Sequence, residues 1–228
     1  MKTHTFSITC IMLLFCITII SCKKEVKPKG GATKIPEKTE EITQSYSVVG
    51  WRSNLNWRGN KILESHAGKI RVHKGNLSSS DEKIISGDFE MDMKTIYVTD
   101  LKGKEKQELE DVLKGKNRED KDSFFNVEKF PTARFTIIDS YIENGVNFIS
   151  GDLTLKGITN VVEPFAIYYE DFPEDENKVW FKSKKFKINR TDWGIDYGSK
   201  NIFTDLADNL IIKDEIILHI TILLNKTK

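Results

Sequence analysis

From residue 45 to residue 224 the chain alternates apolar and polar positions with a period of two. Ile70 and Val72 stand between Lys69, Arg71 and His73, and Phe89, Met91 and Met93 stand between Asp88, Glu90 and Asp92. The rhythm returns at Phe135 and Ile137, at Val146 and Phe148, at Leu153 and Leu155, and at Phe165, Ile167 and Tyr169. It runs longest from Ile216 through Leu218, Ile220 and Ile222 to Leu224. Such alternation puts successive side chains on opposite faces of an extended backbone, so each run predicts a strand with one buried face. Gly59, Gly75, Gly87, Gly103 and Gly157 read as turns between the runs, and Asn144-Gly145 is a strong hairpin signal.

Helical spacing is clear in one stretch. Lys104 to Lys114 places Leu109, Val112 and Leu113 at i, i+3 and i+4, with Gly115 as a stop. A second short helical turn is expected near residues 203–208. Sequential antiparallel strands, each apolar on one face, bury those faces by curling into a barrel or by pairing two sheets. The fold class predicted is all-β, an antiparallel barrel of about eight strands with one or two short helices, a size at which a closed barrel still holds one small ligand.

The first 44 residues break this pattern. A basic start at Lys2 leads into an apolar run from Phe6 to Ile20, which closes with Ile19-Ile20-Ser21-Cys22. A helix of about fifteen residues rises only ~22 Å, short of a ~30 Å hydrocarbon core, which suits a signal peptide better than a membrane span. The pattern resembles bacterial lipoproteins, in which cleavage precedes a cysteine that is then acylated. Here that predicts a signal peptide over 1–21, lipidation of Cys22, a flexible linker over 22–44 and a barrel domain over 45–228. Ser21 would also serve an ordinary secretory cleavage site. Of the three cysteines, Cys10 and Cys16 fall inside the removed segment, so the mature chain has no disulfide to lean on.

The linker is rich in Lys and Glu, holds Pro28, Pro36 and Gly30-Gly31, and lacks an apolar period. As a flexible coil it spans roughly 26 Å, enough to keep the domain near a membrane. The formal charge of +1 gives nucleic-acid binding no support. Lys23 and Lys24 after Cys22, in place of an acidic cluster, favour an outer-membrane anchor facing the periplasm.

Longer strings resemble the YceI family in the form common among bacterial lipoproteins. Ser53-Asn54-Leu55-Asn56-Trp57-Arg58-Gly59-Asn60-Lys61 and His66-Ala67-Gly68-Lys69-Ile70 are similar to its opening. Gly87-Asp88-Phe89-Glu90-Met91-Asp92-Met93 is similar to its second block, and Leu109 to Leu113 to its helix. Phe124-Phe125-Asn126-Val127-Glu128-Lys129-Phe130-Pro131-Thr132-Ala133-Arg134-Phe135 is the most family-specific stretch. Gly151 to Thr159 and Phe186 to Ile195 complete the order. The resemblance implies an extended lipocalin-like barrel, a long isoprenoid or similar lipid as partner, no cofactor and no catalysis, with homodimers occurring in the family.

Candidate lumen residues follow from alternation and are not carried over from a motif. They are Phe89, Met91, Phe135, Ile137, Phe148, Leu153 and Leu155, together with Phe165, Ile167, Phe181, Leu218, Ile220 and Ile222. Each reads equally as ligand wall or as filled core.

Among polar residues, His66 reads as structural or as a headgroup contact. His73, seven positions on, points to the opposite face and argues against joint metal ligation. Arg190, Asp192 and Trp193 read as a strand-to-loop corner held by an ion pair. No catalytic or metal residues are assigned. An enzyme acting on a barrel-bound lipid, with His66 or Asp92 as acid or base, and a non-catalytic envelope interaction module are the alternative functions.

Overall fold

The computed structural model describes residues 42–81 and 83–227. The signal peptide, Cys22 and nearly all of the linker expected from sequence lie outside them. The described chain forms β1 (Gln44–Val48), β2 (Asn54–Asn60), β3 (Ser65–Ser80), β4 (Lys83–Val98) and α1 (Gly103–Lys114). There follow β5 (Thr132–Glu143), β6 (Val146–Leu155), β7 (Ile158–Asp171), β8 (Lys178–Ser183), β9 (Phe186–Asn189) and β10 (Glu215–Lys226). All pairings are antiparallel, and the order β10-β2-β3-β4-β5-β6-β7-β8 closes because β8 returns to β10.

Ten described strands thus make an eight-membered ring. The difference arises beside β10, where each neighbour is a strand broken in two. On one side β2 pairs with residues 217–221 of β10 and β1 with residues 224–226, the break being the short turn Gly50–Arg52. On the other side β9 pairs with residues 215–218 and β8 with residues 221–225.

Gly75 and Gly87, expected in turns, lie inside β3 and β4, which are each 16 residues long. Gly75 directly faces Phe89 across the ladder, as Gly68 faces Trp57. A side chain at either glycine would collide: a Cβ on Gly75 would lie 2.9 Å from the Phe89 ring, and one on Gly68 would lie 2.4 Å from the Trp57 ring. The missing Cβ lets each ring lie over the neighbouring strand, which is a packing role rather than a turn.

The face assigned to Phe148 is also corrected. Val146–Leu155 is one continuous strand, and residues five apart on one strand face opposite ways. Leu153 and Leu155 point into the core with Ile149, which is fully buried. Phe148 therefore points outward and stacks on exposed Tyr141, ring centroids 5.2 Å apart. The interior set of β7 survives a register shift opposite Ile149 and Gly151, and Pro164 sits in that irregularity, where a missing N–H costs no ladder bond.

Helix α1 matches the predicted span to one residue and ends at Gly115 in the left-handed conformation, φ 73°. It lies against β4, whose final residues have lost β5 as a neighbour, since β5 pairs only with residues 88–92. Side chains of α1 take that neighbour's place. The Glu110 carboxylate accepts from the Val98 N–H at 2.9 Å, and the Lys106 ammonium donates to the Val98 carbonyl at 3.0 Å.

Candidate functional site: the barrel bore

Inward-facing residues of the ring leave two apolar cavities along its axis. The larger, of about 140 Å³, lies at the helix end, between Trp57, Met93, Ile96, Leu113 and Ile195. The smaller, of about 40 Å³, lies deeper, between Phe89, Phe135, Phe165, Phe186 and Ile222. Leu55, Met91, Leu153 and Leu218 line both, so these four side chains form a waist between two compartments of one bore.

Beyond the smaller cavity aromatic rings fill the bore, and outside them lies a mixed polar and apolar cleft of about 530 Å³ bounded by Tyr46, Tyr169, Phe172 and Val179. Phe89 stacks on Phe181 at 5.9 Å, Phe181 meets Tyr169 at 5.6 Å, and Tyr169 stacks on Tyr46 at 6.3 Å. This series of rings plugs the end opposite the helix. The Tyr169 hydroxyl is buried with no hydrogen-bond partner among the described residues, and burial pushes its pKa far above the ordinary phenol value, with Tyr46 adding to the shift.

One stretch of wall has no ladder. The first half of β7, residues 158–165, pairs only with β6, while β9 pairs only with β10. Side chains bridge the interval: Phe165 and Phe186 stack with centroids 4.0 Å apart, and the Asn160 amide donates to the Asp192 carbonyl at 2.9 Å.

The predicted corner at residues 190–193 is present, with a different ion pair. Arg190 is buried and pairs with Asp214 at 3.2 Å, not with Asp192. Its remaining donors go to the carbonyls of Ile195, Ile212 and Lys213. Burial lowers the guanidinium's pKa, and Asp214 and Asp196 oppose that. Trp193 is buried beside it and donates its ring N–H to the Leu153 carbonyl at 2.9 Å.

The structure places the predicted lumen residues in four groups. Met91, Leu153, Leu155 and Leu218 line the larger cavity, and Phe89, Phe135, Phe165, Ile220 and Ile222 line the smaller. Ile167 and Phe181 are core with no open space beside them, and Ile137 packs against that core. Phe148 is outside. Trp57, which reads from the sequence as a wall or rim aromatic, lines the larger cavity, whereas sequence reasoning missed Leu55, although it alternates with Asn54 and Asn56 in the pattern used elsewhere. It also missed Leu113, Ile188, Ile195 and Tyr197, which reach the bore from the helix, a short strand and a loop.

His66 lines neither cavity. Its Nδ1 lies 3.2 Å from Asp100, whose other oxygen accepts from the Ala67 N–H at 3.1 Å. Partial burial pushes the Asp100 carboxyl up, but these two contacts outweigh it and hold the group below its ordinary value. His73 pairs instead with Glu90 at 3.3 Å. Among the described residues no three His, Cys, Asp or Glu side chains gather as a metal site.

These features define a closed antiparallel β-barrel with an apolar bore, open in volume toward the helix and plugged by aromatic rings at the other end. The chain belongs to the YceI family: the YceI-like domain matches residues 46–224, almost the whole barrel. No curated protein matches the chain. Among solved structures, a polyisoprenoid-binding domain from Saccharophagus degradans implicated in plant cell wall breakdown is 13% identical, with a TM-score of 0.53, covering 81% of this chain and 99% of that one. The Campylobacter jejuni YceI protein is 15% identical, with a TM-score of 0.48, covering 94% of this chain and 100% of its own.

Proposed function

We propose that this protein is a membrane-tethered binder that sequesters or carries a long isoprenoid, or a similarly apolar lipid tail, in the cell envelope. The observation that carries this reading is the pair of apolar cavities in line, separated only by Leu55, Met91, Leu153 and Leu218. A tail needs little polar recognition. At ~0.8 kcal/mol per buried methylene, ten carbons contribute roughly 8 kcal/mol, the scale of a micromolar constant before the cost of ordering the tail.

Capacity is consistent with a tail that is partly threaded at rest. A water needs roughly 10–15 Å³ of such space, so the larger cavity admits a short run of carbons. A longer chain displaces the waist, where Met91 supplies flexible torsions. The polyisoprenoid-binding relative supports the ligand class. Binding is favoured over catalysis because Arg190, the buried charged side chain on the wall, already spends its donors on carbonyls and Asp214.

Acylation of Cys22 would hold the barrel at the periplasmic face of the outer membrane, a reading that rests on the apolar run before it and Lys23-Lys24 after it. Native mass spectrometry and solvent extraction of gently purified protein test the ligand, and the mass of the N-terminal peptide tests the anchor. A barrel that is reproducibly empty and takes up neither polyprenyl nor quinone compounds would reject the proposal.

A further inference from the structure

The helix end of the barrel carries apolar side chains that stand about half exposed or more. Leu63, at the tip of the β2–β3 hairpin, is 90% exposed, and Ile62 beside it is half exposed. Ile202, Phe203 and Leu210, on the segment between β9 and β10, are also about half exposed. These residues belong to one surface. Lys61 bridges to Ile212, Lys213 donates its N–H to the Asn60 carbonyl, and Ile212 donates to the Gly198 carbonyl. Phe203 is in turn held to Ser199 by a backbone bond of 2.9 Å.

The same segments form the outer wall of the larger cavity. Gly59, Tyr197, Ile212 and Lys213 line it from within, while their neighbours along the chain present Ile62, Leu63, Ile202, Phe203 and Leu210 to solvent. The exposed apolar residues at this end are thus close neighbours along the chain of residues that line the bore. The β5–β6 hairpin at the plugged end also exposes Tyr141, Ile142 and Val146, but neither bore cavity reaches it. Charges around the rim are mixed: Lys61 pairs with Glu64 and Asp214 with Arg190, and the 199–213 segment carries Lys200 and Lys213 as well as Asp205 and Asp208.

We infer that the helix end docks on a lipid bilayer, with Ile62, Leu63, Ile202, Phe203 and Leu210 inserting at the boundary between headgroups and hydrocarbon. An apolar rim around a cavity mouth lets a tail leave the bilayer for the bore without crossing water, and the balanced charge makes the contact depend on insertion rather than on anionic headgroups. The inference deepens the lipid-binding reading, since it supplies the source of the ligand.

Hydrogen exchange on the full chain with phosphatidylcholine vesicles tests it. Amides of 61–64 and 199–203 are expected to exchange about tenfold more slowly on vesicles, a factor that Leu63→Asp with Phe203→Asp removes while the denaturation midpoint holds. Adding phosphatidylserine should change the protection less than about twofold. Unchanged exchange at the rim, protection at residues 141–146 instead, or strong dependence on phosphatidylserine each overturns the docking surface. Rim protection in a barrel that never retains lipid would keep the docking and reject the ligand, whereas lipid retention without rim protection rejects the docking alone.

Discussion

The Glu110 carboxylate accepts a hydrogen bond from the Val98 N–H at 2.9 Å, joining the middle of the helix to the last residue of β4. Glu110 is buried and is flanked on the helix by Lys106 at 3.3 Å and Lys114 at 3.8 Å, so its charge is compensated where it stands. A helix thereby finishes a sheet edge that would otherwise hold an unpaired donor beside the larger cavity.

Removing that carboxylate should loosen the helix from the barrel. Glu110→Ala leaves the Val98 N–H without its acceptor and Lys106 and Lys114 without their shared carboxylate, and should cost about 2–3 kcal/mol in urea denaturation. Glu110→Gln keeps an acceptor and should cost less. Amide exchange of Val98 would report the same order, and an unchanged Val98 rate in the Ala variant would contradict this role.

The waist makes a prediction about ligand length. Met91→Phe adds bulk where both cavities meet and should disturb stability by no more than about 1–3 kcal/mol. Uptake of a long prenyl compound should fall about tenfold, while a compound short enough for the larger cavity should bind as before. Equal losses for both lengths would mean that Met91 does not separate two compartments.

Phe148 and Phe165 should behave as opposites. Phe148→Asp loses a stack with Tyr141 on the outer face and should cost about 1 kcal/mol, with lipid uptake unchanged. Phe165→Asp places a carboxylate in the wall of the smaller cavity, which is costly to ionise there and hostile to a tail. Uptake by a folded Phe165→Asp protein measures that effect directly, and Phe165→Ala offers a milder version if the first does not fold.

Tyr169 makes stability depend on high pH. Its pKa in the fold is raised far above the value of about 10 it has in an unfolded chain. Below pH ~10 both states hold the proton and the group adds no slope. Above that, only the unfolded chain releases it, so stability falls by up to ~1.4 kcal/mol per pH unit. Tyr169→Phe should flatten this part of the profile and, by removing a buried hydroxyl without a partner, should not destabilise at neutral pH. Urea midpoints between pH 8 and 11 for both proteins, at roughly half-unit steps, would show it.

The periodic parts of this protein were legible from sequence because strand burial writes itself into every second residue. Phe89, Met91, Leu153, Leu218 and Ile222 all reach the bore as that rule requires. The rule misled at Phe148 because 146–148 and 153–155 were read as separate strands, and continuity alone sets their relative phase. Gly75 and Gly87 misled for a related reason: a glycine that makes room for a side chain of the neighbouring strand, Phe89 at Gly75 and Ile137 at Gly87, has the same letter as one that makes a turn. Ile195 and Tyr197 were out of reach, because a loop that folds back over a barrel mouth obeys no period. The plug was hidden too, since alternation says which side chains point inward and not whether their volumes fill the space.

The interval between β7 and β9 gives the barrel an expansion joint. Apart from the end of β4, where α1 stands in for β5, the rest of the ring is held by backbone ladders, and widening it there would break several bonds at once. At residues 158–165 the wall is closed by side chains: the Phe165–Phe186 stack, on the scale of ~0.5–1.5 kcal/mol, the Asn160 contact, and the Trp193 N–H bonded to the Leu153 carbonyl of β6. Circumference can grow there while the β7–β8 ladder at residues 167–171 stays paired and serves as the pivot. The bore measured at rest is therefore a lower limit on girth, and an occupant thicker than the cavity would be accommodated along this one line, next to the smaller compartment.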